Sequence, residues 1–166
     1  MEILKFRTIL NSGNQSEIIL ALSPHSKGAK PQYLPDILDL LNKKPDLEIQ
    51  KIISQILGHL DQQESANILL NHISECNDEY LLKILLVGCW ENGLDYSEHI
   101  EIFAKKALNG SFEIALEVMT VIENLPFFPQ KSVLEEIIFD MEKANLHQAI
   151  DKVRIITEII KILQGN

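Results

Sequence analysis

Residues 46–61 read DLEIQKIISQILGHLD, and the spacing of apolar residues in this segment indicates the fold class. Its apolar residues follow steps of three and four, the spacing that places side chains on one face of an α-helix: Ile49, Ile52, Ile53, Ile56, Leu57 and Leu60. An aspartate opens the stretch and a Leu-Gly corner closes it. The pattern predicts a short amphipathic helix whose apolar face another part of the chain must cover.

Similar helix starts return along the chain at intervals of 32 to 36 residues, near Asp46, Asp78, Gly110 and Asn145. A helix pair cannot bury its own apolar face, so only stacking of successive pairs completes a core. The sequence therefore predicts an all-α, right-handed superhelix of about four hairpins. We expect one domain over 1–166, with a short helical pair and loop over 1–30 and four hairpins over 31–163.

Helix breakers and apolar spacing give the expected helix boundaries. Pro35 suits the first turn of a helix, and residues 23–31 form a loop rich in Ser, Pro and Gly. The expected helices span 2–11, 15–22, 35–43, 46–59, 62–75, 78–91, 95–108, 111–124, 130–143 and 146–163.

The segment Asp46-Leu-Glu-Ile followed by Leu57-Gly58-His59-Leu60-Asp61 resembles the short bacterial HEAT-like repeat. In that family an Asp opens the second helix of each pair, and a Leu-Gly corner closes it. Gln50 stands where the family often carries an Arg. The resemblance covers about 35–163 and implies an armadillo-type superhelix. Because the family includes scaffolds, adaptors, lyases and nucleic-acid enzymes, it implies a fold and leaves the function open.

Charge is unevenly distributed along the chain, whose formal net charge is −9. Residues 61–142 hold 4 basic and 16 acidic side chains. A surface this acidic repels a phosphate backbone, and we therefore expect no nucleic-acid partner. The same surface suits a basic partner. The alternative interpretation is that the acids only solvate the outer faces of a helical stack.

The compartment is expected to be the cytoplasm, without a membrane partner. No apolar run approaches the length of a membrane span, and charges interrupt the apolar residues of the first seven positions. Two cysteines, Cys76 and Cys89, fit a reducing compartment better than a disulfide framework.

The second helices of such stacks usually line the concave face, where we expect the binding residues. Aligning the repeats gives three rungs: Lys51, Lys83, Glu117 and Asp151; Ser54, Leu86, Thr120 and Arg154; Gly58, Trp90, Asn124 and Glu158. The predicted binding ridge is Lys51, His59, Lys83, Trp90, Glu117, Thr120, Asn124, Asp151, Arg154 and Glu158. The alternative is an ordinary solvated stripe with pairs inside each helix.

Two aromatic features leave alternatives open. Trp90 is the only Trp and could anchor a partner on the ridge, or it could fill a gap between hairpins. Phe127-Phe128, between two prolines, could dock a partner or a second copy of the chain, or could pack beneath the fourth pair.

Motifs for chemistry are weak. His72 and Cys76 lie four apart on one helix, but Cys89 and His99 complete no metal-ligand spacing. The adjacent acids Glu135 and Glu136 point apart on a helix, and no triad, phosphate loop or zinc motif occurs in the sequence. We therefore expect no catalytic residue, no metal and no cofactor.

Three functions fit these observations. The first is a non-enzymatic scaffold that holds a protein or peptide, possibly basic, against its concave face. The second is a HEAT-like enzyme of the lyase or DNA-repair glycosylase type. The third is self-assembly through the Ile-rich C-terminal helix, whose apolar residues exceed a single stripe.

Overall fold

The computed structural model describes residues 2–165, which form ten α-helices and no strand. The chain is therefore all-α. In order the helices are α1 (Ile3–Leu10), α2 (Gln15–Leu22), α3 (Leu34–Asn42), α4 (Leu47–Gly58), α5 (Glu64–Glu75), α6 (Glu79–Asn92), α7 (Ile100–Asn109), α8 (Phe112–Glu123), α9 (Lys131–Asn145) and α10 (Ile150–Gln164).

All ten expected helices are present, and two of them begin several residues later than expected. Before α7 the chain forms a 3₁₀ turn over Ser97–His99, and the Asp95 carboxylate accepts the Ser97 backbone N–H at 2.9 Å. Before α10 a turn occupies residues 146–149. His147 therefore precedes the last helix.

The chain divides into two compact units: the described part of Met1–His72 with Val87–Leu94, and Ile73–Leu86 with the described part of Asp95–Asn166. In the first unit α1 packs on α3 and α2 on α4. In the second unit α7 packs on α9 and α8 on α10. Within each unit, first helices of hairpins thus contact first helices, and second helices contact second helices.

An aromatic cluster closes the core of the first unit. The Phe6 ring is fully buried, and its centroid lies 5.2 Å from that of His25 and 5.0 Å from that of Tyr33. The His25 and Tyr33 rings are 4.7 Å apart. The segment between α2 and α3 is thus held to α1 by ring contacts, which apolar periodicity does not reveal.

Glycines allow close backbone approach in the first unit. A Cβ added to Gly88 would lie 2.8 Å from the Leu57 Cβ. The backbone of α6 at Gly88 therefore packs directly against the Leu57 side chain of α4. The Asn92 side chain donates to the Leu57 carbonyl at 3.1 Å in the same region. The Gln50 side chain donates to the Pro45 carbonyl at 2.6 Å.

The second unit has an aliphatic core built by α7, α8 and α10. Its fully buried side chains are Phe103, Ala107, Ala115, Val118, Ile122, Ile156 and Ile159. The Ile-rich face of α10 therefore lies mostly in the core, and Ile150 is its highly exposed member, at 83%. Burial of an Ile or Leu side chain contributes roughly 1.5–3 kcal/mol, so this face holds the last hairpin in place.

Polar contacts between helices join residues about one repeat apart. The separations are 33 residues for Gln15 to Glu48, 35 for Asn92 to Leu57, 30 for Lys106 to Cys76 and 32 for Ser111 to Glu79. These contacts lie within single units, and their separations of 30 to 35 residues are close to the 32–36-residue period of the sequence.

None of the helices formed by residues 2–165 is both long and apolar enough to cross a bilayer.

We predict that Gly28→Ala destabilises the first unit strongly. Gly28 has a φ of +107°, and an added Cβ would collide with the His59 carbonyl oxygen. The expected fall in the free energy of unfolding is about 3 kcal/mol, measured by urea denaturation. Gly13→Ala is the matched control, because Gly13 has a φ of +74° and no atom within 4 Å of an added Cβ. It should cost only about 1 kcal/mol; equal losses would contradict the close approach.

A second prediction concerns pH. Burial lowers the pKa of His25 below its usual 6.5, so the unfolded chain takes up a proton there before the folded protein does. The His25 contribution to stability is therefore complete above about pH 6.5 and is lost as pH falls toward the folded-state pKa. Urea unfolding of His25→Leu should show a smaller loss of stability on acidification than the wild type. The exposed His147→Leu should behave as the wild type, and an unchanged slope in His25→Leu would refute the assignment.

Candidate functional site

The predicted ridge begins in the second unit with Lys83 of α6. Its Nζ lies 3.3 Å from a Glu113 carboxylate oxygen on α8, and the two side chains are 45% and 72% exposed. Glu117 follows one turn later on α8 and is half-buried. The ion pair of Lys83 is thus with Glu113, one turn before the Glu117 that the repeat alignment places in the same rung. An exposed pair of this kind contributes at most about 1 kcal/mol, so it remains available to another charged group.

Other ridge residues of the second unit bond locally. Thr120 donates to the Leu116 carbonyl at 3.1 Å, and Asn124 donates to the Thr120 carbonyl at 2.8 Å. Asp151 accepts the Lys152 backbone N–H at 2.9 Å, and Glu158 pairs with Lys161 at 2.8 Å. Arg154 is exposed on α10. Most of these groups thus form intrahelical contacts, as the solvated-stripe alternative anticipates.

In the first unit the ridge residues are Lys51, His59 and Trp90. Lys51 is exposed on α4, and His59 follows the end of that helix with its Nδ1 atom 2.8 Å from the Gln55 carbonyl oxygen. Trp90 is half-buried near the end of α6.

Two aligned positions do not belong to an exposed ridge. Leu86 is fully buried, because α6 turns this side chain into the core. Gly58 faces Glu91, whose Cβ would lie 3.2 Å from an added Cβ. Sequence spacing places a residue on a helix but does not fix which way that helix is rotated.

A recurring apolar position was missed by the sequence analysis. An exposed large apolar residue occupies the first turn of four second helices, namely Leu47 (66% exposed), Tyr80 (53%), Phe112 (40%) and Ile150 (83%). The first three are 33 and 32 residues apart, one repeat each. The signal was visible in the sequence, but the three rungs of the repeat alignment did not include these positions.

Hydrogen bonds hold the helix starts of the second unit beside one another. The Glu79 carboxylate accepts the Ser111 backbone N–H at 2.7 Å, which joins the start of α6 to the start of α8. Lys152 donates to the Leu108 and Gly110 carbonyls at 2.7 Å each, which joins the start of α10 to the end of α7. We call Tyr80, Phe112 and Ile150, which stand at these three starts, the apolar row.

Acidic side chains surround the apolar row. Glu79, Glu113 and Asp151 all lie in the first turns of their helices, where carboxylates favour the positive end of the helix dipole. Partial burial lowers the pKa of Lys152, whose Nζ is already bonded to two carbonyls. The apolar row therefore presents apolar area among mostly negative side chains.

Chemistry at the cysteines is not supported by their surroundings. Burial raises the pKa of the Cys76 thiol, which disfavours the nucleophilic thiolate, and its Sγ contacts the Asp78 carbonyl at 3.4 Å. His72 bonds instead to the Ile68 carbonyl at 3.3 Å. Across residues 2–165, no three His, Cys, Asp or Glu side chains come close enough to hold a metal ion.

A polar cleft of about 600 Å³ lies between α1 and α3 in the first unit. Its central contact joins Arg7 Nε to Asp36 Oδ1 at 2.6 Å, and Asp36 is 7% exposed. The hydrogen bond to Asp36 and its charge raise the pKa of Arg7. The Arg7–Asp36 contact therefore joins α1 to α3 across this cleft.

Comparison of the chain with protein-family models, with curated proteins and with solved structures finds no match.

We predict that Glu79→Ala loosens the start of α8. Removal of the acceptor for the Ser111 N–H should lower the free energy of unfolding by about 1 kcal/mol. Glu79→Gln keeps an acceptor oxygen and should lose less. The exposed Glu75→Ala, at the end of α5, serves as the control in the same urea titration. A Glu79→Ala variant as stable as Glu75→Ala would contradict this role.

Proposed function

We propose that the protein is a non-enzymatic scaffold, a HEAT-like stack of helical hairpins that holds a protein or peptide on its second helices. Two observations support the stack: like helices pack on like helices within each unit, and polar contacts recur at one-repeat separations. Repeated hairpins of this kind create extended surfaces suited to binding.

The apolar row is the observation that carries the proposal. Tyr80 and Phe112 are large and exposed, and each lies in the first turn of its second helix. Single exposed apolar residues are common on soluble proteins, whereas exposed apolar residues grouped on one surface mark interaction sites. Aromatic side chains supply much of the binding energy at protein interfaces because they bury a large area at little entropic cost.

The charge of this region favours a basic partner. Apart from the last hairpin, the second unit holds three basic and nine acidic side chains, over residues 73–86 and 95–130. Complementary charge increases the association rate and excludes acidic competitors. The partner we propose is therefore a peptide or protein segment that alternates apolar and basic side chains. Lys83 and Glu117 on the ridge then set its register.

We propose the cytoplasm as the compartment, since Cys76 and Cys89 both remain thiols.

The test uses a labelled amphipathic peptide of Leu and Lys, with the same peptide carrying Glu for Lys as its control. Fluorescence anisotropy should show tighter binding of the Lys peptide by tenfold or more at low salt, roughly 1.4 kcal/mol. Added salt should reduce that difference.

Variants locate the surface. The double variant Tyr80→Ser/Phe112→Ser should bind the Lys peptide more weakly than the wild type, by roughly tenfold or more. Leu20→Ser is the matched control, because Leu20 is 72% exposed on α2 and outside the apolar row. Equal binding of the two peptides would refute a basic partner. Equal losses in both variants would refute the apolar row.

A further inference from the structure

A second apolar surface lies on the last hairpin. A cleft of about 600 Å³ is lined by Phe128, by Leu134, Ile138 and Phe139 of α9, and by Leu163 of α10. Glu142 and Gln164 also line a neighbouring cleft of about 590 Å³. Because the two clefts share these residues, they form one groove along α9 and α10. We call this surface the α9 groove. At 1.5 Å per residue, α9 gives it a length of about 22 Å.

The groove lies on the side of α9 that faces away from α7. A different cleft lies between α9 and α7, and it is lined by Val133, Ile137 and Met141 of α9 with Ala104 and Leu108 of α7. The groove positions are centred roughly 130° around the helix from these, at 3.6 residues per turn. The α9 helix thus carries two apolar sides, one packed on α7 and one in contact with solvent, where Phe139 is 64% exposed.

Charge indicates what covers this side. Residues 131–165 hold five basic and six acidic side chains, so the last hairpin is nearly neutral, unlike the acidic remainder of its unit. A basic partner has no electrostatic preference for it. A second copy of this acidic chain, in contrast, meets less repulsion here than at the remainder of the second unit.

The order of charges along α9 is self-complementary. Lys131 stands at its start, Glu142 lies near its end, and both line the groove with Leu134 and Phe139 between them. If two copies of α9 pack antiparallel about a two-fold axis between residues 136 and 137, Lys131 of each copy meets Glu142 of the other. The same register places Leu134 opposite Phe139. An isologous interface requires this kind of self-matching.

We propose that the protein forms a two-fold homodimer through the α9 groove, with reciprocal Lys131–Glu142 contacts and Leu134–Phe139 packing. Lys131 is 89% exposed and only 3.6 Å from Glu135, and Glu142 accepts a long 3.5 Å bond from Gln164. Both charges can therefore change partners at little cost. The surface is separate from the apolar row, so the dimer does not depend on the proposed function.

The experiment is sedimentation velocity of the full chain at rising concentration. The wild type should pass from monomer to dimer. Lys131→Glu and Glu142→Lys should each weaken dimerisation by at least tenfold, because each variant sets like charges opposite each other twice. An equimolar mixture of the two variants should dimerise again, because one copy then presents two acids and the other two bases. Phe139→Ser should also reduce dimerisation.

The controls separate dimerisation from folding. All three side chains are exposed, so circular dichroism and the unfolding midpoint should stay close to those of the wild type. Lys143→Glu, on α9 and outside the groove linings, should dimerise as the wild type does. A wild type that stays monomeric at every concentration overturns the proposal. A mixture that fails to dimerise where the wild type does overturns the register.

Discussion

The structure depends on the burial of Ile- and Leu-rich faces of short helices by neighbouring helices. An isolated helix of eight to fifteen residues is marginal in water, so these helices persist only because neighbours cover them. In the second unit, for example, Ile156 and Ile159 of α10 are fully buried. Polar contacts then fix the register: Glu79 holds the Ser111 N–H, and Lys152 holds the last carbonyls of α7.

Much of the fold follows from sequence, because apolar spacing reports directly on helical periodicity. The stretch around Ile53 and the proline before Asp36 lead to helices within a few residues of their observed ends. The late start of α7 was not predictable, since the Asp95 side chain captures the Ser97 N–H and favours a turn over the first helical residues. The aromatic cluster at His25 was hidden for a similar reason, as it joins a loop to a distant helix.

The site was less accessible to sequence reasoning than the fold. Repeat alignment placed Lys83 in one rung with Glu117, whereas the ion pair of Lys83 joins it to Glu113, one turn earlier on α8. The alignment also selected Leu86, which lies in the core. Helix rotation decides exposure, and rotation depends on packing that no single repeat encodes. The apolar row was overlooked because Tyr80 and Phe112 resemble core residues when only composition is considered. The Ile-rich face of α10, which suggested the self-assembly alternative, is mostly buried, apart from Ile150.

The one-repeat spacing of the contacts has a kinetic consequence. Contacts such as Lys106 to Cys76 close loops of only 30 residues, so each hairpin can find its neighbour while distant parts of the chain are still unfolded. Contacts that are local in sequence favour fast folding. A nascent chain emerging from the ribosome could thus acquire structure hairpin by hairpin during synthesis.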